Sequence, residues 1–219
     1  MAEALMCGRY VLYDRLTNGN VKLLGHTIPA NFNVAPTSTV PIIRRNAETQ
    51  TQELIMARWG LVPRWEKSLK IPPFFNARAD KLPGNNVFWP SINQRCLIPM
   101  AGFYEWSEQN KQPFYIYTIE ASLTYAAGIW NSWQSQDGES IDSCAIITTQ
   151  PNAILADIHH RMQVLLTQAD QDSWLDDPFD QAKTLLKPYA QPMEKYPVNP
   201  KRVNNSRNNA IDCLDQWQA

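Results

Sequence analysis

Short runs rich in Ile, Val, Tyr, Phe and Thr dominate the chain, and Pro, Gly or Asn commonly separates one run from the next. Runs of this length and composition, bounded in this way, are typical of β-strands. The pattern predicts strands at Arg9–Tyr13, Val40–Arg44, Glu53–Trp59, Arg95–Ile98, Gly102–Trp106, Phe114–Ile119, Tyr125–Trp130 and Ala145–Thr149.

Helical periodicity is sparse by comparison. Pro151–His159 starts with Pro and carries apolar residues at helical spacing, which predicts a helix. Two shorter helices are predicted at Gln168–Leu175 and Asp180–Leu186, and the Asn-rich stretch Asn204–Asn209 is predicted to be a loop. Because no repeat or linker divides the 219 residues, we expect a single α+β domain, β-rich and barrel-like, with a few peripheral helices.

Composition places the chain among ordinary globular proteins, with 44% hydrophobic and 19% charged residues. No apolar stretch approaches membrane-spanning length, and Glu3 and Arg9 interrupt the start where a signal peptide would be apolar. We therefore expect a soluble, cytoplasmic protein without a membrane partner.

A net charge of −1 provides no general attraction for nucleic acid, so any such binding must come from local clusters of Arg and Lys. Arg58–Trp65 holds two Arg and two Trp, a mixture that suits phosphate contacts together with base stacking. Lys201, Arg202 and Arg207 form a second basic group. Solvated surface is the alternative interpretation of both clusters.

The four cysteines form no C-x-x-C pair and no group with zinc-ligand spacing, so neither a metal site nor a cofactor is predicted. Cys96 and Cys144 lie within apolar runs and are expected to be inert core residues. Cys7 is different, because Gly8 leaves room for a substrate and Arg9 is a cation that lowers a thiol pKa or holds a phosphate.

Glu105 lies in a strongly aromatic run, Gly102–Trp106. Strict alternation puts Phe103, Glu105 and Ser107 on one face of the strand. Desolvation among aromatic rings is expected to raise the pKa of the Glu105 carboxyl, which suits general acid–base chemistry near neutral pH. A salt bridge to a nearby arginine is an equally good interpretation.

Two further polar positions allow both a functional and a structural interpretation. Asn76 either orients a substrate or caps a turn, and its local sequence favours the turn. His159 and His160 close the predicted Pro151–His159 helix, where one ring is expected to face inward and the other solvent. A catalytic role competes there with a structural one at the helix end. His26, beside Gly25, is expected to be incidental.

The order of the motifs is more specific than any motif alone. In sequence order they are Met6–Tyr10, Asn33–Pro36, Arg58–Pro63, Asn76–Ala79, Arg95–Pro99, Gly102–Trp106, Ile158–Met162 and Val203–Asn205. Together they resemble the SOS response-associated peptidase (SRAP) family over nearly the whole chain.

The resemblance implies a barrel-like domain with a positively charged groove and four catalytic residues: Cys7, Asn76, Glu105 and His159. His159 takes the role rather than His160, because the family pattern has one residue between the His and the Arg. The implied DNA contacts are Arg9, Arg78 and Arg161 for phosphates, with Trp65 as a stacking surface.

The implied activity is the sensing of abasic sites in single-stranded DNA during the DNA damage response. Cys7 would trap the aldehyde as a thiazolidine, a covalent DNA–protein crosslink that shields the lesion. Strand cleavage by β-elimination would be a minor lyase activity. The expected partner is single-stranded DNA with abasic sites, no cofactor is expected, and a monomer is the simplest state.

This chemistry needs a free α-amine on Cys7, yet six residues precede it. We expect either that translation begins at Met6 or that Met1–Met6 is a leader removed autocatalytically, leaving residues 7–219 as the SRAP domain. A second departure is Gln163, where the family usually has Pro after the Arg-Met pair. This change is expected to alter the local turn but not the reacting groups.

Two alternatives remain open at this point. The first is an autocatalytic thiol peptidase whose DNA binding is secondary, which predicts cleavage before Cys7 without any DNA. The second is a non-catalytic single-stranded DNA-binding module, which predicts salt-dependent binding that Cys7→Ala leaves unchanged. A Cys-His hydrolase acting on other proteins is the least favoured, because nothing marks a specificity pocket.

Overall fold

β-Strands are the main regular elements of the computed structural model, which describes residues 8–218. In chain order the strands are β1 (Arg9–Leu12), β2 (Val21–Leu23), β3 (His26–Ile28), β4 (Asn31–Val34), β5 (Thr39–Arg45), β6 (Gln52–Trp59), β7 (Asn76–Arg78), β8 (Arg95–Met100), β9 (Gly102–Trp106), β10 (Pro113–Thr118), β11 (Thr124–Gln134), β12 (Ser140–Thr149), β13 (Met162–Gln163), β14 (Leu165–Leu166) and β15 (Met193–Pro197).

The helices are short and lie between or after the strands. They are α1 (Asp170–Asp176), α2 (Phe179–Ala182) and α3 (Pro200–Val203), with 3-10 turns at Ala79–Lys81, Trp89–Ser91, Lys183–Leu185 and Ile211–Leu214. Within the described part of the chain, no helix is both long and apolar enough to cross a bilayer.

Five strands close into a barrel. β5 pairs with β6 and β8, β8 pairs with β11, and β11 pairs with β12. β12 then runs parallel to β6 and completes the ring. Closure removes the exposed strand edges that an open sheet would present. β7, β13 and β14 add short pairings at the ends of β12 and β11.

A second sheet packs beside the barrel, with five antiparallel strands in the order β15-β10-β9-β1-β4. The contact between the two units is aromatic. Tyr10 on β1 meets Trp59 on β6 edge-on at a ring-centroid distance of 5.2 Å, and Trp59 meets Phe75 in the same way at 5.9 Å. This stack sets the start of β1 against the barrel.

Strand alternation explains why both faces of the sheets are apolar. Tyr10, Ile42, Ile98, Phe103 and Ile146 belong to the cluster that spans the barrel and the second sheet. Their sequence neighbours point the other way. Ile43, Leu97 and Ile147 pack with Trp174 and Leu175 of α1, and Val11 and Tyr104 pack with Val203 of α3.

The expected α+β, barrel-like single domain is confirmed, and all eight predicted strands are present. α1 confirms the helix predicted at Gln168–Leu175, and α2 with the following 3-10 turn accounts for Asp180–Leu186. Cys96 and Cys144 are fully buried and free, as expected. The Asn204–Asn209 segment is irregular, also as expected.

The helix predicted at Pro151–His159 is wrong, because this segment forms successive turns. The Asn152 side-chain oxygen accepts a hydrogen bond from Leu155 N–H, and the Asn152 amide nitrogen donates to the Tyr189 carbonyl. Asn favours such local bonds over helix continuation. The apolar spacing had a different cause, since Leu155 and Ile158 are buried in the core.

Gly102 lies where β9 approaches β10 closely. A methyl group at this position would lie 2.6 Å from the Ile116 carbonyl oxygen and 2.6 Å from the Tyr115 ring. Since neither atom can move without shifting β10, we predict that Gly102→Ala lowers the free energy of unfolding by about 1–3 kcal/mol. Urea denaturation monitored by tryptophan fluorescence measures this change.

Gly19→Ala is the matched control, because it makes the same change in the unfolded chain. Its added methyl group would meet only Thr17, with the hydroxyl oxygen nearest at 3.3 Å and the carbonyl oxygen at 3.8 Å. We expect a change within about 0.5 kcal/mol for this variant. Equal destabilisation by the two substitutions would contradict the packing argument.

Candidate functional site

The start of β1 lies against the end of β9. Arg9 pairs with Tyr104 and Tyr10 with Phe103, so the same antiparallel register brings Gly8 and Glu105 next to each other in order. Gly8 is buried and is the first described residue. The predicted nucleophile Cys7, and the predicted leader of residues 1–6, lie outside the described residues and remain predictions.

Glu105 is a buried carboxylate, only 1% exposed, on the penultimate residue of β9. Phe103 belongs to the core cluster between the sheets, whereas Tyr104 and Trp106 belong to the cluster on the other face. The predicted alternation is therefore confirmed. The backbone N–H of Trp106 lies 3.4 Å from Oε1 of Glu105.

Asn76 begins β7 and is half-buried, so the turn favoured by its local sequence is wrong. β7 runs parallel to β12 with Asn76 opposite Ile146, and Ile146 N–H donates to the Phe75 carbonyl. Nε1 of Trp59 donates to the same carbonyl at 3.0 Å. Pairing with β12 fixes a backbone that the local residues alone would leave as a turn.

His159 is 5% exposed, whereas the His160 side chain is 56% exposed, so one ring faces inward and one outward as predicted. Because no helix precedes them, the predicted helix-end role is excluded. Nδ1 of His159 accepts from the Arg161 N–H at 3.1 Å, which leaves Nε2 as the protonated nitrogen of the neutral ring. Burial lowers the pKa of His159 and favours that neutral form.

Arg78 and Arg161 share one carboxylate. Asp80 accepts from Arg78 at 2.7 Å and from Arg161 at 3.1 Å. The Arg78 hydrogen bond is the main reason why the pKa of Asp80 falls to about 2. Arg161 is 6% exposed and also donates to the Thr148 carbonyl at 2.6 Å, so it is anchored to β12.

These charged groups line an open pocket of about 580 Å³. Its wall includes Arg78, Asp80, His160 and Arg161, together with Lys183 from the 3-10 turn after α2. Two of the three arginines predicted to contact phosphates therefore occur together. Asp80 was not predicted as a site residue, although its position two residues after Arg78 was the available signal.

Arg9, the third predicted phosphate contact, is engaged within the protein. Its Nη1 donates to Oδ1 of Asn33 at 2.8 Å and to the Val203 carbonyl at 2.9 Å. Asn33 itself donates to the carbonyls of Val203, Asn205 and Asn208. The motif residues Arg9 and Asn33 thus hold the C-terminal segment against β1.

The two tryptophans of Arg58–Trp65 differ in solvent exposure. Trp59 is fully buried in the core, so its expected stacking role is wrong. Trp65 is 59% exposed and lines a surface pocket of about 460 Å³ with Trp89, which is 40% exposed. Trp89 was not predicted as a site residue, because its sequence neighbours carry no charge that marks it.

Gln163 is fully buried in β13, opposite Thr148. Neither polar atom of its side-chain amide has a hydrogen-bond partner among residues 8–218. Its backbone takes part in the antiparallel pairing of β13 with β12. The nearby His159 and Arg161 make the contacts described above.

Comparison with known proteins identifies the family. The sequence profile described as SOS response associated peptidase (SRAP) matches residues 6–206. Abasic site processing protein YoqW of Bacillus subtilis (strain 168) is 36% identical over 228 residues, covering 96% of this chain and 99% of the relative. Abasic site processing protein HMCES of Xenopus tropicalis is 30% identical, covering 84% of this chain and 65% of the relative.

Solved structures agree with this assignment. A crystal structure of a protein from Bacteroides thetaiotaomicron has a TM-score of 0.75 at 29% identity, over 84% of this chain and 85% of that one. A protein from Bordetella bronchiseptica shares the fold, with a TM-score of 0.72 at 20% identity over 88% of this chain and all of that one. With a profile that spans most of its length and relatives this similar, the chain belongs to the SOS response associated peptidase family.

Proposed function

We propose that this protein processes abasic sites in the DNA damage response, capturing them in single-stranded DNA as covalent adducts of Cys7. One observation carries the proposal most directly. The buried carboxyl group of Glu105 lies near the end of β9, where the β1–β9 register brings it next to Gly8, the residue bonded to Cys7. The relatives are named abasic site processing proteins, which supports the same lesion as substrate.

The reaction balances as a condensation. The α-amine of Cys7, with an ordinary pKa of about 7.7–8.0, adds to the aldehyde carbon of the opened sugar. Loss of one water gives an imine, and the thiolate then adds to the same carbon while the nitrogen takes up a proton. The product is a thiazolidine, and no oxidant or reductant is consumed.

Glu105 acts in this proposal as the general acid and base. It protonates the hydroxyl group that leaves as water, and it removes a proton from the attacking amine. Because the Glu105 carboxyl group is only 1% exposed, bulk water has little access to it and interferes little with these proton transfers. Asn76 orients the Cys7 amine by hydrogen bonding.

His159 acts in this proposal on the sugar of the abasic site and not on the Cys7 amine. With Nδ1 occupied by the Arg161 N–H, its neutral ring offers Nε2–H as a donor. Donation to the ring oxygen of the closed sugar favours opening to the aldehyde. If the thiol does not close onto the imine, loss of the 3′ phosphate by β-elimination follows, which gives the minor lyase activity.

A free α-amine requires that Cys7 be the N-terminal residue of the active protein. We propose that translation starts at Met6 or that Met1–Met6 is released, with residues 7–219 forming the active domain. In the second route Cys7, assisted by Glu105 or His159, hydrolyses the Met6–Cys7 bond. That hydrolysis consumes one water and is the proposed thiol autopeptidase activity.

DNA binding is proposed to use Arg78, Arg161 and Arg9 for phosphates and Trp65 for a base. A net charge of −1 means that attraction is local. The exposed rings of Trp65 and Trp89 suit unstacked bases, which favours single strands over duplex. The active species is proposed to be a cytoplasmic monomer.

The function is tested with protein whose N-terminal residue is Cys7, verified by intact mass. Mixed with a single-stranded oligonucleotide carrying one abasic site, it should form a heat-stable adduct. The adduct's mass should equal the sum of both partners minus one water. Cys7→Ala should form none. Protein with residues 1–6 attached tests the autopeptidase separately, through loss of the leader without DNA.

Absence of the adduct with an exposed Cys7 would contradict covalent capture. If salt-dependent DNA binding were retained, the protein would be a non-catalytic single-stranded DNA-binding module. If only the leader were released, it would be an autocatalytic thiol peptidase.

Glu105→Gln tests the proton-transfer role. Since positioned general acid–base catalysis contributes about 10²–10⁴-fold, we predict adduct formation at least about 100-fold slower. Stopped time points on denaturing gels give the rate. Glu139→Gln is the matched control, an exposed glutamate in the β11–β12 turn, and it should react at the wild-type rate. Similar rates for both variants would remove Glu105 from the mechanism.

Asp80→Asn tests the phosphate contacts. Removing the carboxylate that neutralises Arg78 and Arg161 should tighten binding of an intact single strand to the Cys7→Ala protein by about threefold to tenfold. The salt dependence should steepen by about 0.7 for each phosphate gained. Asp137→Asn makes the same change in net charge on an exposed turn. Equal effects of the two variants in fluorescence anisotropy would exclude the pocket as the binding site.

A further inference from the structure

Glu108 and His160, which have no role in the proposed chemistry, lie beside His159 and form with it a group of three metal-ligating side chains. One ligand atom from each lies within 4.8 Å of the others. Nε2 of His159 is 3.6 Å from Oε1 of Glu108, and Nδ1 of His160 hydrogen-bonds the same oxygen. The sequence predicted no metal site, because Glu108 is about fifty residues from the two histidines and only the fold joins them.

The donor set and its spacing suit zinc-class ions. Two imidazoles and one carboxylate are a recurrent three-residue set that leaves a fourth position open. Ligands bound at about 2.0–2.1 Å in a tetrahedron lie roughly 3.4 Å apart. The 3.6 Å between Nε2 of His159 and Oε1 of Glu108 is close to this separation. An ion would replace the proton shared between Glu108 and His160.

The supporting contacts fix one ligand and leave the other two adjustable. His159 is 5% exposed, and its ring stacks on His160 at a centroid distance of 4.4 Å. The Glu108 N–H donates to the Ile158 carbonyl at 3.0 Å, which joins the turn after β9 to the histidine segment. The side chains of Glu108 and His160 are half-exposed, so they can open by the small distance an ion requires.

The remaining nitrogen of His159 has a partner for the metal-bound state. Its Nδ1 lies 3.1 Å from the Arg161 backbone nitrogen and 3.4 Å from the Arg161 carbonyl oxygen. Metal at Nε2 requires the proton on Nδ1, so the ring exchanges the hydrogen bond that it accepts from the Arg161 N–H for one that it donates to the Arg161 carbonyl. Such a second hydrogen bond to a backbone carbonyl is the usual way in which a ligating histidine is held.

We propose that Glu108, His159 and His160 form a binding site for a divalent transition-metal ion, with Zn²⁺ as the best fit. The fourth position faces solvent and takes water. A consequence that rests on the proposed function is that the ion occupies Nε2 of His159, the nitrogen that would otherwise donate to the sugar. Zinc therefore acts as an inhibitor of abasic-site capture.

Binding is tested first, without DNA and in the Cys7→Ala background, so that the Cys7 thiol contributes no ligand. Competition with a chromophoric zinc indicator should show one bound Zn²⁺ per chain and no comparable affinity for Mg²⁺, which prefers six oxygen ligands. Glu108→Gln and His160→Ala should each weaken zinc at least about tenfold, since even outer partners of metal ligands contribute 10–100-fold.

His26→Ala is the matched control, because His26 is exposed on β3 and does not belong to the three-residue cluster. Its affinity for zinc should equal that of the parent. The site is overturned if the parent binds no zinc at micromolar concentration, or if Glu108→Gln and His160→Ala bind it as tightly as His26→Ala does. Circular dichroism of each variant confirms that loss of binding is not loss of folding.

Inhibition is tested with Cys7 intact and N-terminal. Zinc at a concentration that fills the site should slow adduct formation by the wild-type protein and leave Glu108→Gln and His160→Ala much less affected. Equal inhibition of all three proteins would overturn the inhibitory role, since zinc would then act elsewhere, as on the Cys7 thiol. Lack of adduct without zinc would instead contradict the proposed function and leave the binding result standing.

Discussion

The backbone pairing of β12 is the constraint on which the rest of the structure depends. Along one edge this strand pairs with β11 and then with β13, and along the other it pairs with β6 and then with β7. The pairings with β11 and β6 close the barrel. Those with β7 and β13 hold the chain next to Asn76 and Arg161, so a single strand supports both the fold and much of the candidate site.

Glu105 lies in the other sheet, and an aromatic seam joins that sheet to the barrel. Tyr10 of the second sheet meets Trp59 of the barrel edge-on across this seam, and Trp59 in turn meets Phe75 on the barrel side. A sliding of the second sheet against the barrel would move Glu105 relative to Asn76, yet it would also separate these rings. Aromatic packing of this kind contributes beyond simple area burial, and it gives the groups on either side of the seam a fixed relation.

The sequence predicted those parts of the fold in which residue type and local period agree. Long strands such as β6 and β11 could be predicted from their apolar, strand-typical composition. β7, β13 and β14 have only two or three residues each, and they form because β12 and β11 offer them edges to pair with. The Pro151–His159 segment shows the opposite failure. Its apolar side chains are spaced for burial in the core, and the hydrogen bond from Leu155 N–H to the Asn152 side chain holds the backbone in turns.

The candidate site divides in a similar way. The ordered motifs indicated Asn76, Glu105, His159 and the arginines. No local pattern indicated that Asp80 pairs with Arg161 as well as with Arg78, or that Glu108 lies next to both histidines. Those relations depend on chain crossings that span tens of residues. Trp59 shows that a motif can also mislead. The Arg-Trp motif suggested an exposed stacking surface, but Trp59 is fully buried in the core.

The attachment of the C-terminal segment to β1 determines how late during synthesis the fold around β1 can be completed. Arg9 bonds to Val203 and Asn33 bonds to Asn208, contacts that join residues more than 170 positions apart. During synthesis, β1 emerges first but must wait for nearly the whole chain before these partners exist. The strand that leads to Cys7 is therefore secured last, and a ribosome-bound or truncated chain would carry the site's residues without a settled frame around them.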